Sequence, residues 1–233
     1  MLKHGHIGVH PQRQPGLNYL GVVLPVGRMT AAQIRGLAQV AERHGSGTIR
    51  LTVWQNLLVS DVPDSAVAEA QAAIATLDLA TSASAVRGGL VACTGNTGCK
   101  FSATDTKGQA MLLADHLDQR VSLDQPINIH LTGCPNSCAQ HYVGDIGLLG
   151  IKVGEDMIEG YSVLLGGGAG SERSFAREIY PNVPATELPM RIERMLCGYL
   201  AHRRDGESFH DFAVRHALDT LRALFGSVDD TAA

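Results

Sequence analysis

Four of the five cysteines lie in two short pairs. Cys93 and Cys99 are spaced C-x5-C, and Cys134 and Cys138 are spaced C-x3-C. Structural zinc sites usually take each cysteine pair from a tight loop of about two to four intervening residues. A gap of five residues is wide for zinc, whereas the separate iron corners of an iron–sulfur cluster tolerate it. The spacing therefore predicts one cysteinyl iron–sulfur site, with a zinc-binding structural module as an alternative.

Residues beside the two pairs suit a backbone that wraps closely around a cluster. Gly95 and Gly98 lie inside the first pair and Gly133 precedes the second, so we expect their amides to point at sulfur. Pro135 is typical of the first turn of a helix. We therefore expect a helix to begin at Cys134, with its positive end favouring thiolates.

Buried packing is the ordinary alternative for any cysteine, because a free cysteine behaves as a small hydrophobe. Two glycine-flanked pairs are hard to explain in that way. Cys197 differs from the other four, since it stands alone in an apolar, helix-periodic stretch. We predict that Cys197 is a core residue.

The elements before the first pair predict a ferredoxin-like half-module over residues 1–80. Apolar alternation and turn residues predict strands at 17–26, 48–53 and 57–62, and helices at 30–44 and 63–79. Thr30 and Gln33 fit a capping box at the start of the first helix. The order β-α-β-β-α indicates an α+β fold with one sheet face or edge left without a partner.

The rest of the chain predicts an α/β domain over 81–225 that bears the cysteines. Strands are predicted at 127–131, 146–153 and 161–165, and helices at 106–121, 171–179, 188–203 and 207–225. The second cysteine pair would follow directly on one of these strands. The tail over 226–233 is predicted to be disordered.

Composition indicates an ordinary globular protein. Of 233 residues, 45% are apolar and 18% charged, and the net charge of -4 without a dense basic run argues against nucleic acid as a partner. No apolar run approaches a membrane span, and the first residues contain no hydrophobic signal segment. We expect a cytoplasmic protein with no membrane partner, where closely spaced cysteines more often bind metal than form disulfides.

Three motifs resemble the siroheme and 4Fe-4S nitrite/sulfite reductases, and most of all the C-terminal half of the ferredoxin-dependent nitrite reductases. The motifs are TGCPNSCAQHY over 132–142, ACTGNTGCK over 92–100 and IRLTVWQN over 49–56. The resemblance runs from about His6 to Phe225. It implies six-electron reduction of nitrite to ammonia in nitrate assimilation, or of sulfite to sulfide, with ferredoxin as electron donor.

The resemblance also implies roles for particular residues. Cys93, Cys99, Cys134 and Cys138 would hold a 4Fe-4S cluster, and Cys138 would bridge it to the siroheme iron. The implied siroheme-facing residues are Arg50, Thr52, Gln55, Asn56 and Asn136. For the first four residues, an alternative of equal weight is that they are solvated polar side chains at the end of an edge strand. For Asn136, the alternative is a residue in the first turn of a helix whose side chain bonds its own backbone.

One departure from the family pattern is large, because the N-terminal half that supplies the residues binding the substrate anion has no counterpart here. We therefore assign no catalytic residue, and expect a fragment or one subunit of a split enzyme that needs the missing N-terminal half or a complementary subunit. Two alternatives stay open. One is an enzyme similar to precorrin-3B synthase of the cobalamin pathway, and the other is a non-enzymatic iron–sulfur electron-transfer module.

Overall fold

A four-stranded antiparallel sheet contains the apolar strands predicted near the start of the chain. The computed structural model describes residues 4–171 and 173–226, and the chain divides into two units between Gly89 and Leu90. The first unit contains β1 (Gly8–Pro11), β2 (Leu17–Val22), β3 (Ile49–Leu51) and β4 (Leu57–Pro63), in the order β1-β2-β4-β3. The short edge strand β1 adds to the predicted β-α-β-β-α order.

Two helices complete the first unit. Helices α1 (Ala31–His44) and α2 (Val67–Ala75) contact each other and β4. The predicted capping box is confirmed, since Thr30 Oγ1 accepts the Gln33 N–H at 3.1 Å and Gln33 Oε1 accepts the Thr30 N–H at 2.9 Å. The core of the unit includes Leu20, Val22, Leu37, Val59 and Ile74. Burial of this apolar set is the main force that holds the helices on the sheet.

A five-stranded mixed sheet forms the second unit. Its strands are β5 (Leu90–Ala92), β6 (Ile129–Thr132), β7 (Ile146–Val153), β8 (Ile158–Leu165) and β9 (Arg177–Pro184), in sequence order across the sheet. Strands β5, β6 and β7 run parallel, and β8 and β9 continue the sheet antiparallel. The predicted α+β class, with an α/β second part, is confirmed.

Four helices accompany this sheet. They are α3 (Thr106–Arg120), α4 (Leu188–His202), α5 (Phe209–Arg215) and α6 (Leu218–Leu224). Helix α3 connects β5 to β6, contacts both strands and packs against α4. The single helix predicted over 207–225 is in fact two, because His216 and Ala217 are extended. At this break the Arg177 guanidinium donates to the carbonyls of Ala213 and His216, which stabilises the interrupted backbone.

The helix predicted over 171–179 is wrong. Strand β9 begins at Arg177 and pairs with β8. The preceding glycine-rich loop is tied to Ser174, whose carbonyl accepts the Gly168 N–H at 2.9 Å and whose Oγ donates to the Gly166 carbonyl at 2.7 Å. These bonds and the strand pairing provide partners for the backbone N–H and C=O groups. Sheet formation therefore overrides the local helical pattern.

The core assignment of Cys197 is also wrong, because its side chain is exposed. Helix α4 buries a face formed by Ile192, Met195, Leu196 and Tyr199. Cys197 follows Met195 by two residues, which places it about 200° around the helix. It therefore lies on the face opposite the core.

Two further findings concern the ends of the chain and its helices. Within residues 4–171 and 173–226, no helix is both long enough and apolar enough to cross a membrane. The tail predicted over 226–233 lies outside the described residues, except for Gly226.

Candidate metal centre

The two cysteine loops leave the sheet side by side. Strands β5 and β6 are parallel neighbours, with Ala92 opposite Leu131. The ladder continues one residue further, since Cys93 N–H donates to the Leu131 carbonyl at 3.0 Å. Cys93 follows β5 and Cys134 follows β6, so both pairs begin at the same edge of the sheet. Parallel strand ends of this kind commonly gather the functional groups of a site.

Hydrogen bonds join the two loops directly. The Gly133 N–H donates to Cys93 Sγ at 3.2 Å, and the Ala103 N–H donates to the Gly133 carbonyl at 2.7 Å. Thr106 Oγ1 lies 3.5 Å from the same sulfur and donates to the Cys93 carbonyl at 2.8 Å. Cys93 is therefore held by both loops and by the start of α3. The expected amide-to-sulfur contact occurs at Gly133, whereas the Gly98 N–H donates to the Gly95 carbonyl instead.

The first loop turns sharply at Gly95, where φ is +75°. The Gly95 carbonyl accepts the N–H groups of Gly98 at 3.2 Å and Cys99 at 2.9 Å. A Cβ on Gly95 would lie 2.9 Å from the Thr106 backbone nitrogen, so glycine is required both for φ and for space. This turn brings Cys99 back towards the start of its own loop.

The second loop is a pair of turns, and the helix predicted from Cys134 is wrong. The Ser137 N–H donates to the Cys134 carbonyl at 3.2 Å, and the Gln140 N–H donates to the Ser137 carbonyl at 2.8 Å. Both Ser137 and Gln140 have φ of +56°, which ends a right-handed helix before one full turn forms. The positive helix end expected at Cys134 is therefore not formed by this loop.

The donor set fits an iron–sulfur cluster. Cys93, Cys99 and Cys134 are partly exposed and Cys138 is exposed. In the described part of the chain, no three His, Cys, Asp or Glu side chains gather closely enough to hold a single metal ion. A cluster with separate iron corners does not require ligands that close together.

Glu159, on β8, holds the first loop from outside the cysteine motifs. Its Oε1 accepts Asn96 Nδ2 at 2.6 Å and its Oε2 accepts the Asp105 N–H at 3.0 Å. Lys107 Nζ donates to the Ala92 carbonyl at 3.2 Å and so places a positive charge beside Cys93. The sequence prediction missed Glu159 because no local pattern connects it with residues 54 and 63 positions away.

Two buried histidines flank the second pair. His130 Nδ1 lies 3.1 Å from the Gln140 carbonyl, and His141 Nδ1 lies 3.1 Å from Ser137 Oγ. Burial lowers the pKa of His141, which keeps the ring neutral. These contacts hold the turns of the second loop, so both rings have a structural role beside the cysteines. Asn136 is exposed within that loop.

The siroheme-facing candidates of the first unit lie on and after β3. Arg50 is exposed and lines an open cavity of about 420 Å³ together with Arg13, Tyr19 and Asp61. Arg50 also helps to lower the pKa of Asp61, after the larger effects of hydrogen bonds from Ser46 and Gln12. The cavity is thus lined by two guanidinium groups and one carboxylate.

A tight turn contains the other three candidates. Thr52 Oγ1 accepts the Asn56 N–H at 3.1 Å, and Gln55 has φ of +60°. Asn56 is buried, with Oδ1 accepting the Leu24 N–H at 2.9 Å and Nδ2 lying 3.1 Å from His6 Nε2. Thr52 and Asn56 therefore shape the turn, and the exposed Arg50 is the candidate most available to a ligand.

Both units match models of known protein families. The model of the Nitrite/Sulfite reductase ferredoxin-like half domain matches residues 10–77, and that of the Nitrite and sulphite reductase 4Fe-4S domain matches residues 83–229. The ferredoxin-like and α/β parts predicted from the sequence are confirmed by these matches.

Individual relatives are 34–38% identical to this chain over the aligned regions. Ferredoxin–nitrite reductase of Synechococcus elongatus is 38% identical over 196 residues, which is 83% of this chain and 38% of that protein. Sulfite reductase (ferredoxin) 1 of Mycolicibacterium paratuberculosis is 38% identical over 226 residues, covering 93% and 40%. The structure of the Mycobacterium tuberculosis NirA protein aligns with a TM-score of 0.86 at 34% identity, covering 93% and 41%. The chain thus spans about two fifths of the length of these relatives.

Proposed function

The chain belongs to the nitrite and sulfite reductase family, and we propose that it forms the cofactor-bearing part of an enzyme that reduces nitrite to ammonia by six electrons. Sulfite, reduced to sulfide, is the second candidate substrate, since a ferredoxin-dependent sulfite reductase matches at the same 38% identity as a nitrite reductase. The observation that carries the proposal is the joining of the two cysteine loops, in which Gly133 N–H donates to Cys93 Sγ.

Siroheme and a 4Fe-4S cluster are the cofactors of this family. In the proposal, the thiolates of Cys93, Cys99, Cys134 and Cys138 hold the cluster, and Cys138 is shared with the siroheme iron. When bound, these cofactors supply a path for single electrons and an iron that takes up the substrate anion. The exposure of Cys138 supports its role as the shared ligand, because a bridging sulfur must be accessible from two sides.

The chain's own groups hold the thiolates in place. Gly133 N–H donates to Cys93 Sγ, and Thr106 Oγ1 donates to the carbonyl of the same residue and so fixes its backbone. Lys107 adds a positive charge next to that ligand. Hydrogen bonds and positive charge stabilise an anionic cluster, and more so after it has gained an electron.

The first unit contributes to siroheme binding in this proposal. Arg50 is positioned to pair with a carboxylate of the macrocycle, because a guanidinium binds carboxylates with two parallel hydrogen bonds. Thr52, Gln55 and Asn56 form the adjoining turn, and Asn136 contacts the cofactors from the second cysteine loop. We assign residues 1–80 to the half-domain and 81–225 to the cofactor-binding domain.

Turnover requires a second polypeptide segment, which corresponds to the remainder of the relatives' length. The residues expected to bind the substrate anion belong to that segment, so the complementary half or subunit is the proposed partner. Ferredoxin is the proposed electron donor, and Lys100, exposed beside Cys99, is suited to contact an acidic protein. A cytoplasmic location would keep the thiols reduced for cluster assembly.

Anaerobic purification with the complementary segment tests this function. We expect about four irons and about four sulfides per chain, with siroheme in the complex, and reduction of nitrite by a reduced ferredoxin or viologen dye. Zinc near one equivalent without sulfide would refute the cluster. Cluster without siroheme in a stable complex would instead support an electron-transfer module. Nitrite reduction at an ordinary enzymatic rate by the chain alone would refute the need for a partner.

A further inference from the structure

Glu159 makes contacts that its own hairpin does not need. It lies at the start of β8, opposite Lys152, and its backbone carbonyl accepts the Ala185 N–H at 2.9 Å. The side chain reaches away from these neighbours to the Cys93–Cys99 loop and to the start of α3. Both carboxylate oxygens are used there, one by Asn96 Nδ2 and the other by the Asp105 N–H.

The two donors lie at opposite ends of one segment. Asn96 is in the middle of the first cysteine loop, and Asp105 is the N-cap of α3, whose side chain accepts the Gly108 N–H at 3.1 Å. The Asn96 backbone N–H donates to the Thr104 carbonyl at 2.9 Å, which already folds the segment onto itself. One carboxylate thus connects the exposed top of the loop, the rigid end of a helix and the sheet.

The loop needs such a constraint. Asn96, Thr97 and Gly98 are exposed, and the flanking glycines allow many backbone conformations. A carboxylate near thiolates repels an anionic cluster. A glutamate at position 159 is therefore electrostatically unfavourable unless its side chain serves another purpose. Hydrogen bonds from a charged acceptor are among the stronger constraints available to an exposed loop.

We propose that Glu159 is a positioning residue that holds the Cys93–Cys99 loop in the conformation able to bind the cluster, before the cluster arrives, and slows its loss afterwards. The inference rests on the proposed function, because it takes Cys93 and Cys99 as cluster ligands. It adds a specific prediction that the loop is ordered by a distant carboxylate and not by the metal alone.

Hydrogen exchange in the metal-free chain tests the first part. Glu159→Gln keeps the shape of the side chain but turns one acceptor into a donor, so one of the two bonds is lost. We expect amides over 94–105 to exchange about tenfold faster, since a charge-assisted bond contributes enough to shift a local opening equilibrium by that factor. Glu155→Gln, in the exposed turn of the same hairpin, is the matched control and should leave exchange unchanged.

Cluster retention in the reconstituted chain tests the second part. Under a chelator, we expect Glu159→Gln and Asn96→Ala each to lose the cluster absorbance about tenfold faster than the unmodified chain. Glu159→Ala removes both bonds, so adding Asn96→Ala to it should not speed the loss further, because the bond to Asn96 is already absent. Thr97→Ala, at the next exposed loop position, is the control for Asn96→Ala.

The outcomes separate the inference from the function beneath it. Equal exchange and equal cluster loss for Glu159→Gln and Glu155→Gln would overturn the role of Glu159. Additive effects of the Asn96 and Glu159 substitutions would also overturn it. If Glu159→Gln does not fold, Asn96→Ala on the loop surface decides the question alone. An unmodified chain that takes up no cluster would overturn the proposed ligands, while exchange in the metal-free chain would still decide whether Glu159 holds the loop.

Discussion

Gly133 lies directly against Ser102, with no room between them for a side chain. A Cβ on Gly133 would collide with Ser102 Oγ and would lie 2.8 Å from Ser102 Cβ. Ser102 follows the first cysteine pair and Gly133 precedes the second, so this contact sets how closely the two loops approach each other. It also keeps the Gly133 N–H within reach of Cys93 Sγ.

Gly133→Ala should therefore separate the loops. Overpacking of this kind costs about 1–3 kcal/mol of the free energy of unfolding, and we expect most of the bound iron and sulfide to be lost. Adding Ser102→Gly should restore cluster content, because it removes the two colliding side-chain atoms. Gly154→Ala is the control: its φ of +70° costs about 1 kcal/mol, but nothing lies within 4 Å and cluster content should not change.

Cys138→Ser should disturb both cofactors together, because the proposed bridging thiolate belongs to both. We expect siroheme and sulfide content to fall at least about tenfold, measured on anaerobic samples with the complementary segment. Cys197→Ser is the matched control, since Cys197 is also exposed but lies on α4. Loss of the cluster alone, with siroheme fully retained, would argue against the bridging role.

Arg50→Gln and Asn56→Ala should act differently on the first unit. Arg50 is exposed, so its replacement should change the free energy of unfolding by less than about 0.5 kcal/mol while lowering siroheme content. Asn56→Ala leaves the buried Leu24 N–H without its acceptor and should cost about 1–3 kcal/mol. Urea unfolding and siroheme quantitation separate the two effects. Full siroheme content in stable Arg50→Gln protein would remove Arg50 from the site.

Acid should destabilise the first unit through His6. Burial, with a smaller contribution from His10, lowers the pKa of His6 in the folded protein. A group with a lowered folded pKa contributes stability above its unfolded pKa of about 6.5 and loses it as pH falls towards the folded value. The contact with Asn56 acts in the same direction, because Asn56 Nδ2 is a donor and His6 Nε2 must be unprotonated to accept.

Urea unfolding at about pH 7.5 and 5.5 measures this effect. The free energy of unfolding should be lower at the acid value, and His6→Gln should reduce the difference. His141, whose pKa is also lowered by burial, contributes with the same sign in the second unit. An unchanged pH dependence in His6→Gln protein would contradict the assignment.

Local sequence patterns correctly predicted several of the helices and strands. The Thr30–Gln33 capping box, the helix from Thr106 and the strand over 146–153 all occur as the sequence indicates. Each is encoded by neighbouring residues through capping or periodic burial. The roles of Gly95 and Gly133 could also be predicted. Where the backbone must approach another group closely, the chain needs glycine, and glycine is visible in the sequence.

Features that depend on distant partners were not predictable in this way. Strand β9 forms because β8 offers an edge, and the left-handed Ser137 ends a helix that Pro135 favours. Glu159 contacts a loop more than fifty residues earlier. In each case a tertiary contact decides the local structure, and one sequence without its fold contains no sign of that contact.

The crossover from β5 through α3 to β6 gives the site an order of assembly during synthesis. The four proposed ligands lie between Cys93 and Cys138, and Glu159 follows them in the chain. A ribosome adding about 5–20 residues per second therefore finishes the ligand set roughly one to several seconds before it completes the hairpin that carries Glu159. During that interval the first loop lacks its carboxylate partner, so in the proposal the loop becomes ready to bind the cluster only after synthesis has passed Glu159.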